Sequence, residues 1–256
     1  MPTPRLSLII PYRDREEQLR QFSDHVLKFF SHDKLDRKIP FSVTVVEQEE
    51  GLPFNIGAIR NIGFDLTREY DYHCFHDVDF LPIWTDHRYP TSPTRLLWYG
   101  AEVRPLEPGG SIGAFHKKDT YFSGVVMFNR EDFETVNGYS NSYWGWGSED
   151  DDMRTRCQLE KLKISQRDGF YQSLQHTSEG YTPSGDLNKT GLKNNALREQ
   201  KFYDMKDKRA DKKDGLSSLH YKVLDTFERT NIDKEKRPLN LIQWRHVKVR
   251  LFEENA

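Results

Sequence analysis

Tyr72–Pro82, YHCFHDVDFLP, is the stretch from which the rest of the chain is read. An apolar run that ends in two acids spaced i, i+2 and then a proline reads as a buried strand with charge at its carboxyl end. Two segments of the same kind precede it. RLSLIIPYRD places a strand at Leu6–Ile10, stopped by Pro11, and FSVTVVEQ supplies a second from Phe41. Helical patterns lie between them. Glu16–Phe30 aligns Leu19, Phe22, Val26, Leu27 and Phe30 on one face, and IGAIRNIGFDLTREY carries Ile59, Ile62, Gly63 and Leu66. Strand, helix, strand, helix, strand is the order of a parallel α/β sheet, whose ligands bind beyond the carboxyl ends of the strands. The residues to watch are therefore PYRDR, EQEEG and DVD.

Further along, Trp84–Thr120 is irregular and rich in Pro and Gly. YFSGVVMFN reads as another strand, and REDFETVNGY as a short helix closed by Gly138. SEDDDMRTRCQLEKL begins with a serine and then acids, the signature of a helix N-terminus with Ser148 as its cap. Ser178–Asn195 has turn residues and no periodicity, which predicts a long mobile loop, and REQKFYDMKDKRADKKDG predicts a solvated helix after it. LHYKVLDTFER and WRHVKVRLFE alternate as strands. With no internal repeat and no linker, residues 1–256 read as one domain.

Composition narrows the class. The chain has 256 residues, 36% hydrophobic, 30% charged and 13% aromatic, so it is wet but can still build a core. A net charge of −2 offers no electrostatic case for nucleic acid or an acidic membrane surface. Its apolar runs fall far short of the roughly 20 residues that span a bilayer. MPTPRLSLII lacks the pattern of a signal peptide. Two cysteines, Cys74 and Cys157, are too few for a disulfide framework, which favours a reducing compartment. The expectation is a cytoplasmic protein; the alternative is one whose anchor and stem have been removed from the N-terminal side.

Four constellations carry chemistry. Asp77 and Asp79 are hard oxygen ligands suited to Mg2+ or Mn2+. Acids at strand ends are also ordinary surface features, and the position after a buried strand is what favours the metal reading. A phosphatase with an aspartyl nucleophile usually has Thr or Val after its second acid, where this chain has Phe80-Leu81-Pro82. Arg13 and Arg15 suit phosphate, or are exposed arginines at a helix start. Phe54 offers a stacking surface for a base, with Asn55, Arg60 and Asn61 as polar partners, or is a core residue. In SNSYWGWGSEDDD, Ser140–Asp152, the helix dipole tolerates clustered acids, one of which would serve as a general base. Trp144 and Trp146 add flat rings for a sugar. An acidic cap or a packed tryptophan is commonplace alone, but neither explanation calls for the other as its neighbour. His176, where an apolar stretch meets the loop, is a structural histidine or a metal ligand at a hinge.

IIPYRDREEQL, FNIGAIRNIGF, CFHDVDFLP, YFSGVVMFNREDFETVNGYSNSYWGWGSEDDD and DGLSSLHYKVLD occur in the order found in the beta-1,4-galactosyltransferase family, and the chain resembles that family from about Leu6 to Asp225. The resemblance implies a single Rossmann-like nucleotide-sugar transferase domain of α/β class, with a mixed central sheet and a mobile lid. Residues 1–100 would mainly bind nucleotide, and residues 101–256 would form the acceptor part and the lid. It implies inverting transfer of galactose from UDP-galactose to the 4-hydroxyl of N-acetylglucosamine, xylose or glucose, free or in a glycoconjugate, with Mn2+ or Mg2+. Pro11, Tyr12, Arg13 and Arg15 would line the UDP site, with Phe54 near the uracil. Asp77, Val78 and Asp79 form the D-V-D, with Asp79 the direct metal ligand. Tyr121, Phe122 and Gly124 would flank the donor sugar, and a tyrosine at Tyr121 goes with galactose rather than N-acetylgalactosamine. Trp146 would sit on a small moving loop. Asp150 would be the base beside Glu149, and the acceptor would meet Tyr121, Trp146, Gly147, Glu149, Asp150 and Asp151. His176 would ligate the metal at the start of the lid.

The chain also departs from that pattern. Ile56 stands where the family often has arginine, with Arg60 one turn later as a candidate replacement. Ser173 precedes His176 by three residues, where many members have methionine. No cysteine occupies the usual partner position of Cys74. Two rival readings follow: the same fold with UDP-N-acetylgalactosamine or UDP-N-acetylglucosamine as donor, and a carbohydrate-binding protein with a decayed site. Retention of Asp79, Asp150 and His176 argues against the second.

Overall fold

Alternation along LSLII sends Leu6, Leu8 and Ile10 to one face of a strand and Ile9 to the other, and both faces are covered. The protein is described from a computed structural model. It covers residues 2–32, 36, 38–97, 99–103, 112–116, 121–174, 189–205, 213–229 and 237–252, with 99–103, 112–116 and 204–205 in backbone only.

The strand built on LSLII, β1 (Leu6–Tyr12), pairs in parallel with β2 (Phe41–Gln48) on one side and β3 (Tyr72–His76) on the other. Pro11 continues β1 rather than stopping it. It lies past Ile9↔Phe75, the last β1–β3 pair, where the ladder is one-sided and a missing N–H is tolerated. Helix α1 (Glu16–His32) buries Phe22, Val26 and Phe30 against the Leu6, Leu8 and Ile10 face, with Phe30 stacked on Phe41 at 4.2 Å. Helix α2 (Ile56–Asp65) covers the other face. A Cβ at Gly63 would stand 2.2 Å from Ile9 Cγ2, so glycine is what lets α2 lie on β1.

The chain continues through β4 (Phe80–Trp84), β5 (Thr94–Arg95), β6 (Tyr99–Val103), β7 (Ile112–His116) and β8 (Val125–Asn129). Next come α3 (Arg130–Thr135), α4 (Glu149–Leu159), β9 (Ser165–Gln166), β10 (Phe170–Ser173) and α5 (Lys189–Met205). Strands β11 (Tyr221–Glu228) and β12 (Leu241–Leu251) end the order. The main sheet runs β11-β12-β2-β1-β3-β8-β5-β9, and a second sheet runs β4-β10-β6-β7. Strand β12 joins β2 in parallel while β8 joins β3 antiparallel, so the main sheet is mixed.

Beyond β1, three further differences from the sequence reading bear on the site. The third strand ends at His76, and Phe80-Leu81-Pro82 opens β4 in the other sheet, so the D-V-D forms the junction. Asp77 N donates to Gly124 O at 2.8 Å and Phe80 N to Asp77 O at 3.3 Å, a turn that apolar residues on both sides conceal from a periodicity argument. The stretch after Trp84 holds the short strands β5, β6 and β7. Helix α5 begins at Lys189, inside the segment expected as loop; the rest of that segment, 178–188, lies outside the described residues. Cys74 and Cys157 are buried and unbridged. Among the described residues no helix is long and apolar enough to cross a membrane.

Candidate active site

Parallel register aligns the ends of β1, β2 and β3 on one edge. Pro11 is buried there, and Tyr12 is half-buried with its ring edge-on to His246 of β12 at 5.4 Å. Arg13 Nη1 donates to Leu52 O at 2.8 Å, and its guanidinium lies 5.1 Å over the half-buried Phe54 ring. Arg15 is half-buried at the start of α1. Asn55 and Asn61 are not partners for a base. Asn55 caps α2, accepting from Ala58 N at 3.0 Å and donating to Asn141 O at 2.7 Å. Asn61 donates to Tyr139 O at 2.7 Å and Asn141 Oδ1 at 2.9 Å, fastening α2 to the segment before the tryptophans.

Arg60 is 1% exposed. Its Nη2 donates to Asp77 Oδ1 at 2.8 Å, its Nη1 lies 3.5 Å from Glu149 Oε1, and its guanidinium covers the Tyr139 ring at 5.0 Å. Burial works against the charge; Tyr139, Asp77 and Glu149 outweigh it and hold the group protonated. One buried cation thus joins the D-V-D turn to the acidic start of α4. Burial raises the Asp77 pKa, Arg60 opposes the rise, and the Asp79 charge adds to it.

Val78 is buried and Asp79 half-buried, and Asp79 O accepts from Leu174 N at 2.7 Å. That bond ties the end of β10 to the D-V-D two positions before His176, which itself lies outside the described residues. Ser173 is taken up in β10, opposite Phe80. The carboxylates suit a hard divalent cation in donor chemistry. Among the described residues no group of three or more His, Cys, Asp or Glu could hold a metal, so a third such ligand would have to come from outside them.

Gly124 has φ +75°, and a Cβ there would stand 2.4 Å from Leu97 Cδ2 and 3.3 Å from Tyr121 Oη. Tyr121 is half-buried; burial, then the charges of Asp77 and Asp150, push its phenol pKa up and keep it neutral. Trp146 is 39% exposed, while Trp144 packs against Val46 and Ile59 and their neighbours.

The loop carrying both rings is held from two sides. Gly145 N donates to Phe54 O at 2.7 Å, and the buried Asn194 of α5 donates to Trp144 O at 3.2 Å, Trp146 O at 3.0 Å and Gly147 O at 3.2 Å. Ser148 is the N-cap residue of α4, its carbonyl accepting from Asp152 N at 3.0 Å, but its side chain makes no capping bond. It adopts φ +78° and donates instead to Asn195 Oδ1 at 2.9 Å.

The four acids of α4 have four environments. Glu149 is buried, and burial with the Asp150 charge pushes its pKa up to about 8 against the pull of Arg60. Asp150 is half-buried and also raised, by burial and by Asp151. Asp151 is exposed and accepts from Arg198 Nη1 of α5 at 2.6 Å. Asp152 turns inward to Arg156 Nε at 2.5 Å and the Tyr143 hydroxyl at 3.2 Å. The sequence reading passed over Asp214, which accepts from Asn141 N at 2.8 Å, Ser140 Oγ and Lys201 Nζ and lies 3.5 Å from Arg156 Nη2. A lone acid before Gly215 in DGLSSLHY was its only signal.

A family model described as the N-terminal region of glycosyl transferase group 7 matches residues 1–91, and one described as the N-terminal domain of galactosyltransferase matches residues 113–178. Beta-1,4-galactosyltransferase 4 of Cricetulus griseus is 33% identical over 227 residues, covering 86% of this chain and 59% of that protein. The chain thus spans about three fifths of that relative's length. A beta-N-acetyl-D-glucosaminide beta-1,4-N-acetylglucosaminyl-transferase of Lymnaea stagnalis is 32% identical over 189 residues, 70% of this chain and 36% of that protein. Among solved structures, a Drosophila beta-1,4-galactosyltransferase 7 mutant in complex with manganese, UDP-Gal and xylobiose superposes with a TM-score of 0.70 at 26% identity, covering 97% of this chain and 94% of that one. The D-V-D turn falls in the first matched region and Tyr121, Trp146 and the α4 acids in the second. With the sequence, the fold and the order of its motifs in agreement, the chain belongs to the beta-1,4-galactosyltransferase family.

Proposed function

We propose that this chain is an inverting, metal-dependent hexosyltransferase that moves galactose from UDP-galactose to the 4-hydroxyl of an acceptor sugar. The observation that carries the reading is Arg60, one buried cation bonded to Asp77 and paired with Glu149. It brings the strand-end acids and the acidic helix N-terminus to one place.

Uridine diphosphate would lie along Tyr12, Arg13 and Phe54, with the sugar beside Tyr121. Asp79, with His176, would hold the cation, which when bound supplies positive charge against the departing diphosphate. Glu149 is the deeper of two adjacent carboxyls and keeps its proton to about pH 8, which leaves Asp150 to work as the base. Asp150 takes the proton of the acceptor 4-hydroxyl. As that oxygen bonds to the anomeric carbon, the bond from that carbon to the diphosphate breaks on the opposite side, and the configuration inverts. A carboxylate raised above its ordinary pKa is the better base for this step. Trp146 would stack on the sugar.

A second reading keeps the fold and changes the donor to UDP-N-acetylglucosamine or UDP-N-acetylgalactosamine. The name of the Lymnaea stagnalis relative supports it, and Tyr121 weighs against it. The test is isothermal titration of the three UDP-sugars, with and without Mn2+, into wild type and Asp79→Ala. Metal-dependent binding of UDP-galactose that disappears in the variant is expected. Binding of another UDP-sugar in its place selects the second reading, and binding of none refutes both. A cytoplasmic location is part of the proposal, supported by two buried, unbridged cysteines.

A further inference from the structure

A cavity of about 300 Å³ opens beside Tyr121, between α4 and the short strands β5 and β9. Its charged lining is Arg95 and Arg154, with no carboxylate among the described residues. Arg95 is buried and fixed, donating from Nη1 to Tyr121 O at 3.1 Å and from Nη2 to Gln166 Oε1. Arg154 has no ion pair or hydrogen bond among the described residues. It follows Asp150 by four residues on α4, and Gln158 follows by four more, so one helical face leads from the base into the cavity. Phe122, Leu162 and Ile164 give it an apolar floor. A second cavity, about 610 Å³ near the amino ends of β1 and β3, mixes Arg5 and Arg130 with the acids Asp71, Glu131 and Glu134 and so offers no cationic site.

We propose, resting on the transferase reading above, that the cavity beside Tyr121 is an acceptor subsite for an anionic group: a sulfate, phosphate or carboxylate next to the sugar that receives galactose. One turn of α4 is about 5.4 Å, the reach from a hydroxyl at Asp150 to a substituent on the same or the next ring. Arg154 would meet that oxyanion with its fork of donors, and Gln158 and Ser165 add neutral donors. The apolar floor suits the C–H face of a pyranose ring. A neutral acceptor still reaches Asp150 but leaves Arg154 unused. The subsite therefore governs acceptor preference rather than chemistry.

The test measures transfer from UDP-galactose to glycosides of N-acetylglucosamine, xylose and glucose, each neutral and each carrying a sulfate, a phosphate or a carboxylate. In wild type an anionic form should have a KM about tenfold lower than its neutral form with kcat little changed, and the anion with the largest effect names the source. Arg154→Gln, and Gln158→Glu, which sets a carboxylate in the cavity, should abolish the preference while leaving neutral acceptors as in wild type. Equal KM values for neutral and anionic forms throughout, or equal losses on both in Arg154→Gln, overturn the subsite. If no glycoside is galactosylated, the transferase reading fails by itself. Calorimetric binding of xylobiose and its sulfated form to wild type and Arg154→Gln then decides the subsite: an Arg154-dependent preference for the sulfated form upholds it, and equal binding rejects it.

Discussion

Arg60 Nη2 lies 2.8 Å from Asp77 Oδ1, joining a helix side chain that is 1% exposed to a strand-end carboxylate that is 25% exposed. Ile56, one turn earlier on α2, carries no charge; the guanidinium that pairs with both Asp77 and Glu149 comes from the next turn.

Removing that cation leaves the largely buried Asp77 carboxylate uncompensated, since Glu149 keeps its proton to about pH 8. Breaking a buried pair from one side typically costs about 3–5 kcal/mol. Arg60→Met should lower stability in urea by that order at pH 7, and adding Asp77→Asn should restore part of the loss by removing the orphaned charge. A loss under about 1 kcal/mol would mean that water reaches the site and that Arg60 is not the joint between the two motifs.

Glu149 also sets a pH dependence. Its pKa rises from 4.5 to about 8 in the fold, so between those values the folded state holds a proton that the unfolded chain has released. Stability should therefore fall as pH rises through this window and level off above it. Denaturation of metal-free protein from pH 5 to 9 reads the slope. The fall should be smaller in Glu149→Gln; the same fall in both proteins would assign it to Asp77 and Asp150, which are raised as well.

The central sheet was legible because LSLII and FSVTVVEQ are continuous apolar runs with few alternative readings. The acids at the strand ends were legible for the same reason. What escaped was polar or topological. Helix α5 has no apolar stripe and is held by Asn194, Asn195, Arg198 and Lys201, so no period announced Lys189 as its start. The switch of sheets at Asp77–Asp79 joins two apolar segments and leaves no mark in the pattern. Arg60 read as a polar partner for a base, and only Asp77 after β3 and Glu149 of α4 explain its burial.

Adjacent acids on α4 should fail in different ways. Asp150→Asn should lower kcat by about 10²–10⁴ with UDP-galactose affinity unchanged, as expected for loss of a general base. Asp152→Asn breaks the contact with Arg156 and should appear as lost stability, with kcat per folded molecule retained. Calorimetry, steady-state kinetics and urea unfolding separate the two, and a full-strength kcat in Asp150→Asn would remove it from the base role.

Two glycines of the tryptophan loop test whether α5 seats that loop. Gly145 has φ +80° and Gly147 φ +94°, so alanine at either adds left-handed strain of about 1–2 kcal/mol. They differ in what the new methyl meets. At Gly147 nothing lies within 4 Å, whereas at Gly145 a Cβ would stand 2.2 Å from Thr190 Cγ2 in the first turn of α5. Threonine is β-branched and stiff in a helix, so the clash should push α5 off the loop and stretch the Asn194 contacts to Trp144, Trp146 and Gly147. Gly145→Ala should therefore cost more in urea unfolding than Gly147→Ala and raise the acceptor KM. Adding Thr190→Ser deletes the clashing methyl and should return the double variant to the Gly147→Ala level. Equal costs for the two alanines, with no rescue by Thr190→Ser, would show that the loop does not depend on α5 and that Trp146 is held by Phe54 O and its own backbone alone.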